Sequence, residues 1–376
     1  MRIVQLANFY NDTSGGLSTA LRSLAQHYVR EGHEVIRVVP AAASGERHDG
    51  TATIIEVASP ALGATGYRMV RSPRTVDRLL RRVRPDAVEL SDKATLVAPA
   101  AAMRDDGVQV VLVSHERLDA ILRPRVPTGV PLQRITDGWN RRLAGRVDAI
   151  VCASQFACAE FRRIGATHVH RIPLGVDLAE FHPAIGGNPV RSAELRLAMV
   201  SRLSAEKSPE VAVDTVRELL RRGVATRLDV AGSGPMLDEL RDAARELPIH
   251  FHGHLSSRRR LVELLRGAQV TLAPCGIETF GLAALESMAC GTPVVAASTG
   301  ALPELIAAGT GAVSRADGPS FADASLAVAR TDRRTSEVIT RAHAEQFPWS
   351  ATGAAVLALL SGERPRSGEP LSAVTR

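Results

Sequence analysis

Short apolar runs alternate with segments of helical periodicity along most of this 376-residue chain. In the first half, the predicted strands are RIVQLA, HEVIRVV, TATIIEV, PDAVELS, VQVVLVSH, VDAIVCAS and THVHRIP. In the second half, they are LRLAMVS, RLDVAGSG, IHFHGH, AQVTLAP and TPVVAA. Strands that alternate with helices form parallel sheets covered on both faces. The sequence therefore predicts an α/β protein with two doubly wound, Rossmann-like sheets.

A Gly- and Pro-containing stretch, PLGVDLAEFHPAIGGN at 173–188, interrupts this alternation and indicates a domain boundary. The predicted organisation is an N-terminal domain at 1–176, a hinge at 177–192, a C-terminal domain at 193–347, a helix at 348–362 that packs back toward the N-terminal domain, and a disordered tail at 363–376. Ligands bind beyond the carboxyl ends of strands in such sheets, so we expect a site in the cleft between the domains.

The composition, with 45% hydrophobic and 23% charged residues, is typical of a globular protein. Apolar runs stay below the roughly 18 to 20 residues of a membrane span, and the N-terminus resembles a strand rather than a signal peptide. We therefore expect a cytoplasmic protein. The four cysteines have no metal-site spacing.

The net charge of +6 does not indicate a nucleic-acid partner. Only two of the 46 basic residues are lysines, Lys93 and Lys207, and aromatic residues make up only 3%, so a stacking platform for bases is missing. The stretch from Arg68 to Arg84 has seven arginines and one aspartate. It is either a basic amphipathic helix at the anionic inner face of a membrane or a sheet-packing helix with an Arg-rich solvent face.

Two glutamates stand eight residues apart in APCGIETFGLAALESMACGTPVV, the stretch from Ala273 to Val295. On one ideal helix, Glu278 and Glu286 would be about 12 Å apart, wider than the roughly 5 to 9.5 Å of a glycosidase pair. We interpret them as acceptors for separate hydroxyl groups of one extended ligand. Between them, the backbone N–H groups of a predicted helix start offer a phosphate site; the residues are Thr279, Phe280, Gly281 and Leu282.

Further candidates follow other strands of the second half. Arg202 and Lys207 come after LRLAMVS and suit a diphosphate, although an ordinary basic loop would look the same. Gly232 and Gly234 in VAGSGP permit close backbone approach to a ligand. His254, in HGH, favours backbone contact to a base over metal binding.

In the first half, Gly15 and Gly16 end a predicted polar loop that lacks a GxGxxG pattern, and HEVIRVV does not end on an acidic residue. Both observations disfavour a nicotinamide dinucleotide. His115 ends a strand, where it is either a substrate contact or a packed residue, and Lys93 follows the preceding strand. The chain contains no Asp-x-Asp metal motif, so Arg202, Lys207 and backbone N–H groups would bind a diphosphate without a divalent metal or other cofactor.

The stretch with both glutamates, preceded in order by IPLGVDLAEFHP, SRLSAEKSPE, VAGSGP and FHGHL, resembles the retaining glycosyltransferases of family 4. The resemblance implies the GT-B fold, in which two Rossmann-like domains face each other across a cleft. It also implies that Glu278 binds donor-sugar hydroxyls, that Glu286 binds the nucleotide ribose, and that Arg202 and Lys207 bind the diphosphate with the Phe280–Leu282 backbone.

On the acceptor side, the resemblance implies that His115 contacts the sugar at the reaction centre and that Gly16 approaches the phosphates. Other acceptor-side candidates are Asn8, Tyr10, Gly15 and Lys93. Two residues depart from the family pattern, because Ser201 replaces a glycine and Glu116 replaces an aspartate.

The expected activity is metal-independent hexosyl transfer from a nucleotide sugar with retention of configuration, without a protein nucleophile. The arrangement is most similar to actinobacterial mannosyltransferases that use GDP-mannose and phosphoinositide or related glycolipid acceptors. The alternatives are a UDP-sugar enzyme for a soluble acceptor (inositol phosphate or a natural-product aglycone), a nucleotide-sugar epimerase, and an inactive sugar-nucleotide sensor.

Overall fold

The computed structural model describes residues 1–10, 15–63, 66–123, 126–127, 129–184 and 194–363. The chain forms two compact units, one comprising Met1–Leu174 with the segment from Trp349 onward, and the other Gly175–Pro348. Residues 364–376 of the predicted disordered tail lie outside the described residues. Residues 185–192 of the predicted hinge also lie outside them.

The strands are β1 (Arg2–Ala7), β2 (Glu34–Ala41), β3 (Gly45–His48), β4 (Thr53–Ala58), β5 (Ala87–Ser91), β6 (Gln109–Ser114), β7 (Ala149–Cys152), β8 (Val169–Arg171), β9 (Leu195–Val200), β10 (Thr226–Ala231), β11 (Ile249–Gly253), β12 (Val270–Ala273), β13 (Val294–Ala297) and β14 (Gly311–Ser314). The helices are α1 (Gly15–Arg30), α2 (Pro73–Val83), α3 (Val97–Asp105), α4 (Leu118–Leu122), α5 (Leu132–Ala144), α6 (Gln155–Arg162), α7 (Glu210–Arg221), α8 (Leu237–Ala243), α9 (Arg258–Gly267), α10 (Leu282–Ala289), α11 (Leu302–Leu305), α12 (Gly318–Ala329), α13 (Arg333–Ala344) and α14 (Trp349–Leu360).

The sheet of the first unit has the order β3-β4-β2-β1-β5-β6-β7-β8 among the described residues. Its pairings are parallel except for β3, which lies antiparallel to β4 at the edge. The prediction of a parallel sheet missed this strand because GERH is polar and largely exposed, as an edge strand can be. One face packs on α14, whose Val356 and Leu360 are buried with Ile3 and Leu24, and α14 also packs on α1.

The sheet of the second unit has the order β11-β10-β9-β12-β13-β14, with parallel pairings throughout its described strands. The short edge strand β14 was not predicted. Because the strands are parallel, the loops that follow them emerge at one edge of the sheet. Two α/β units with predominantly parallel sheets are therefore confirmed. The segments that follow β9, β10, β11 and β12 contain the residues predicted to bind the donor, except Gly16, which lies in α1 of the first unit.

The Arg-rich segment is only partly helical, because α2 begins at Pro73 and ends at Val83. Arg68 instead forms an isolated antiparallel bridge with Ala61. Val76 and Leu80 of α2 are fully buried in the first unit, so this helix does pack on the core. No helix within the described ranges combines the length and apolarity needed to cross a bilayer.

Candidate functional site

The glutamate-containing stretch connects β12 to β13 through a loop and α10. Glu278 lies in the loop, and Glu286 lies inside α10. The helix begins at Leu282 with Gly281 as its N-cap residue at φ 101°. The helix therefore begins at the last of the four residues, Thr279 to Leu282, that were predicted to open it, because Gly281 adopts a left-handed conformation that interrupts the helical path.

Phe280, which precedes the helix, is buried. Its ring packs edge-on against Phe347 at a centroid distance of 6.4 Å. The side chain therefore anchors the loop in the core, and only its backbone remains a candidate for ligand contact.

A second loop supports Glu278 from the side of β13. The amide of Ala301 donates to the carbonyl of Glu278 at 2.8 Å. Gly300, with φ 82°, lies so close that a Cβ atom there would be 3.0 Å from the carbonyl oxygen of Gly276 and 3.1 Å from the Glu278 nitrogen. The Thr299-Gly300 turn was not predicted from the sequence, although a glycine shortly after a buried strand can indicate such a turn.

The loop after β9 brings a cation to Glu278. Lys207 ends a short 3-10 turn at Ala205–Lys207, and its Nζ donates to Glu278 Oε2 at 2.7 Å. Desolvation lowers the pKa of Lys207, but the Glu278 carboxylate more than offsets that effect and raises this pKa above its ordinary value. Two side chains predicted to bind different parts of a donor thus contact each other directly.

Arg202, from the same loop, forms an ion pair with Glu206. Ser204 Oγ also donates to Glu206, at 2.8 Å. The Arg202 side chain remains 44% exposed, so its guanidinium is held at the sheet edge while still accessible to a ligand. Glu206 was not predicted as a site residue, although its position four residues after Arg202 indicates that the two side chains can form an ion pair.

The two glycines after β10 have a packing role. A Cβ atom at Gly232 would lie 1.8 Å from the carbonyl oxygen of Ser201, and one at Gly234 would lie 2.2 Å from that of Leu203. The amide of Leu203 also donates to the Ser233 carbonyl at 2.9 Å. These glycines therefore allow the loops after β9 and β10 to lie against each other.

Glu286 is buried and contacts Arg258, which was not predicted as a site residue. Its Oε1 accepts from Arg258 Nη1 at 3.3 Å, and Arg258 Nε lies 3.8 Å from Glu180 Oε2. Burial raises the pKa of Glu286 to about 7, and Arg258 opposes that rise. His254 is exposed and directly follows β11.

In the first unit, His115 follows β6 and its Nε2 lies 3.0 Å from Ser91 Oγ at the end of β5. Desolvation, followed by the nearby Lys93 charge, lowers the pKa of His115 to about 4. The imidazole is therefore neutral at physiological pH, and one of its nitrogens donates a hydrogen bond while the other accepts one.

Lys93 turns toward the interior of the first unit. Its Nζ contacts the Glu160 carboxylate and the Glu116 carbonyl, and its side chain is only 11% exposed. Glu160 is fully buried and also accepts from Asn140 at 3.1 Å and from the Leu118 amide at 3.2 Å. Lys93 thus stabilises the loop that contains His115, which was not anticipated for an acceptor-side residue.

Two other acceptor-side candidates are also buried. Asn8 donates to Thr95 Oγ1 and accepts from the Val70 amide, each at 2.9 Å. Tyr10 is 5% exposed, and the Arg37 guanidinium lies 5.6 Å from its ring centroid. Gly15 and Gly16 begin α1 rather than ending the preceding loop, and both are exposed.

The described part of the chain contains no group of three or more His, Cys, Asp and Glu side chains arranged to hold a metal ion. Within that part, the predicted site residues fall into two sets, one in each unit. The second unit holds Glu278, Arg202 and Lys207 in adjoining loops and Glu286 in α10, which suits an extended ligand with a diphosphate and several hydroxyl groups.

Two families match consecutive parts of the chain. The family described as Glycosyltransferase Family 4 matches residues 14–180. The family described as Glycosyl transferases group 1 matches residues 186–329.

Among characterised relatives, the chain is 41% identical over 368 residues to the GDP-mannose-dependent alpha-(1-6)-phosphatidylinositol dimannoside mannosyltransferase of Mycobacterium tuberculosis, with 96% of each chain covered. It is 31% identical over 276 residues to the D-inositol 3-phosphate glycosyltransferase of Segniliparus rotundus, covering 67% of this chain and 60% of that protein.

Among solved structures, sucrose-phosphate synthase from Thermosynechococcus elongatus has a TM-score of 0.78 at 18% identity, covering 96% of this chain and 98% of that one. The Anabaena protein HepE in complex with UDP-glucose has a TM-score of 0.75 at 18% identity, covering 96% of this chain and all of that one (100%). These similarities indicate a shared fold.

Proposed function

Because this chain belongs to glycosyltransferase family 4 and is a hexosyltransferase, we propose that it transfers mannose from GDP-mannose to a hydroxyl group of a phosphatidylinositol-type glycolipid. The observation that carries this proposal is the 41% identity, over 96% of the chain, to a mycobacterial enzyme named for that donor and acceptor class. The pair of Lys207 and Glu278 supports it. A cation can bind the diphosphate of a nucleotide sugar, and a carboxylate can accept hydrogen bonds from the hydroxyl groups of its sugar.

In this proposal, Arg202 and Lys207 bind the diphosphate, and their charges stabilise it as it leaves. The backbone from Phe280 to Leu282 adds N–H donors. Glu278 accepts from hydroxyls of the mannosyl group, and Glu286 accepts from the ribose hydroxyls. Gly16, Gly232, Gly234 and His254 complete the proposed donor contacts. No divalent metal is required, since the two cations and the amides supply the positive charge.

Transfer then proceeds with retention. The bond from the anomeric carbon to the diphosphate breaks, and a bond to the acceptor oxygen forms on the same face of the sugar. The proton of the acceptor hydroxyl passes to an oxygen of the leaving diphosphate, so no protein nucleophile is needed. His115, neutral at physiological pH, contacts the sugar through a hydrogen bond.

Two observations support this acceptor, the similarity to the mycobacterial enzyme and the charge of the first unit. Phosphatidylinositol lipids are anionic, and α2 carries arginines on its solvent side, so the enzyme would contact the inner face of the membrane peripherally. The runner-up is transfer from a UDP-sugar to a soluble acceptor such as inositol phosphate, and the 31% identity to a D-inositol 3-phosphate glycosyltransferase favours that acceptor.

The test is an assay of nucleotide release from GDP-mannose and from UDP-sugars, each with phosphatidylinositol dimannoside, with inositol 3-phosphate or without acceptor. The proposal expects release of GDP that depends on the lipid, and a mannosylated lipid product. Turnover only with a UDP-sugar and inositol phosphate would establish the runner-up. Donor conversion without acceptor would indicate an epimerase, and binding without turnover a sensor.

A further inference from the structure

The first turn of α9 contains three consecutive arginines, Arg258, Arg259 and Arg260, and no acidic residue. Cations at the start of a helix are unfavourable, because the helix dipole places positive partial charge there. Ser257 caps this helix by accepting from the Arg260 amide, but its hydroxyl carries no charge to compensate the arginines. The arginines therefore need partners elsewhere.

Arg259 and Arg258 find different partners. Arg259 pairs with Glu263 one turn along the helix at 2.8 Å, and its side chain is 88% exposed. Arg258 instead reaches across to Glu286 of α10, at 3.3 Å, and its guanidinium also lies near Glu180. Its Cζ is 5.7 Å from the ring centroid of Phe181, which limits the directions that the side chain can take.

We propose that Arg258 is a positioning residue for donor binding, which pairs with Glu286 and directs its carboxylate so that it accepts from the ribose hydroxyls of the nucleotide sugar. This inference rests on the proposed function, which assigns Glu286 to the ribose. It adds a residue from a different helix that acts through Glu286 rather than on the donor itself.

The electrostatic surroundings of Glu286 explain why such a residue is needed. The Glu286 side chain is 12% exposed, and burial is the largest effect on its pKa, which lies at about 7. Arg258 lowers this pKa, and Glu180, from the segment after Gly175, raises it. Arg341 of α13 donates a hydrogen bond to the Ala289 carbonyl at the end of α10. The nearby Cys290 thiol is neutral, because burial raises its pKa to about 12.

Removal of Arg258 therefore makes Glu286 harder to ionise. An opposite charge at this range lowers a carboxyl pKa by about one unit or more, so Arg258→Gln moves the pKa of Glu286 from about 7 upward. A rise of one unit reduces the ionised fraction at pH 7 about fivefold. A protonated carboxyl group accepts fewer hydrogen bonds, so ribose binding weakens at neutral pH and recovers at higher pH.

The experiment measures KM and kcat for GDP-mannose between pH 6 and pH 9.5. Arg258→Gln is expected to raise KM about fivefold at pH 7, to recover at pH 9, and to leave kcat nearly unchanged. Arg259→Gln is the matched control, with the same charge change one residue away, and keeps wild-type values. Glu180→Gln shifts the pH dependence of KM in the opposite direction, toward lower pH.

Glu286→Gln distinguishes the positioning role of Arg258 from the assignment of Glu286 to the ribose. If Glu286→Gln raises KM while Arg258→Gln keeps the wild-type KM and pH profile, this inference is overturned and the proposed function stands. If Glu286→Gln leaves KM unchanged, the ribose assignment is wrong and this inference fails with it, whereas the proposed function fails only if GDP-mannose is not turned over with the lipid acceptor. Should Arg258→Gln lower the melting temperature enough to prevent assay, Glu180→Gln carries the test, because an unmoved pH profile in that variant overturns the inference.

Discussion

Lys207 Nζ lies 2.7 Å from Glu278 Oε2, although the two residues are 71 positions apart in the chain. The contact joins the loop after β9 to the loop after β12, and both side chains are about a quarter exposed, at 24% and 25%. A partly open ion pair at the carboxyl edge of a parallel sheet can exchange its internal contact for contacts with a ligand.

We expect Lys207→Ala to lower kcat/KM by about 10²- to 10³-fold, as deletion of one preorganised charge does at comparable sites. The loss arises because the leaving diphosphate is no longer neutralised. Steady-state kinetics with GDP-mannose measure it. Arg217→Ala, which removes an exposed cation paired with Asp214, serves as the control and keeps normal turnover.

The Lys207–Glu278 contact also predicts non-additivity. Residues in direct contact show coupling energies of about 0.5 to 3 kcal/mol in double-mutant cycles. The double variant Lys207→Ala/Glu278→Gln should therefore lose less activity than the sum of the two single losses. Strict additivity in kcat/KM would mean that the two side chains act independently.

Arg202→Ala should also reduce turnover at least about 10²-fold, and Arg202→Lys should recover only part of it, since a lysine cannot fork two phosphate oxygens. Glu206→Gln should produce a smaller loss, because it removes the ion pair that holds the guanidinium. Near-normal kcat in Arg202→Ala would contradict the diphosphate assignment.

His115 should make stability depend on pH. Its pKa in the folded protein is lowered from 6.5 to about 4, with desolvation as the main cause. The folded state therefore binds this proton more weakly than the unfolded chain, and stability falls as pH drops from about 6.5 toward 4. His115→Asn should show a smaller loss of unfolding free energy between pH 7.5 and pH 5 in urea titrations. An equal loss in both proteins would exclude His115 as a source of acid sensitivity.

Gly234→Ala should destabilise the second unit, because its Cβ atom would lie 2.2 Å from the Leu203 carbonyl oxygen. Overpacking of this kind costs about 1 to 3 kcal/mol, and it would also displace the loop that carries Arg202. Thermal unfolding and kinetics together measure both effects. Gly267→Ala is the control, since a Cβ atom there meets nothing within 4 Å.

The positions of these two cations were predictable from sequence, because Arg202 and Lys207 lie in the loop that follows the apolar strand β9. Parallel strands bring such loops to one edge whatever the details of packing. The edge strands β3 and β14 were not predictable in the same way, because short strands with polar or mixed residues carry little periodicity.

Asn8 and Tyr10 show the limit of residue type as a guide. Both were reasonable acceptor-side candidates, since polar residues after a first strand often reach a ligand. The fold instead buries them, Asn8 against Thr95 and Tyr10 beside Arg37. Burial depends on which distant segments pack over a residue, and a local pattern does not contain that information.

The amino-acid sequence by itself determined the two α/β units, the family, the loops that carry Arg202, Lys207 and Glu278, and the helix that contains Glu286. These follow from local periodicity and from motifs within short windows. Only the tertiary structure decided that Lys207 pairs with Glu278 and that Arg258 reaches Glu286 from another helix. Both pairs join residues from different elements of the chain. The pKa values of Lys207 and Glu286 depend on these neighbours and on burial, which exist only once the sheet has assembled.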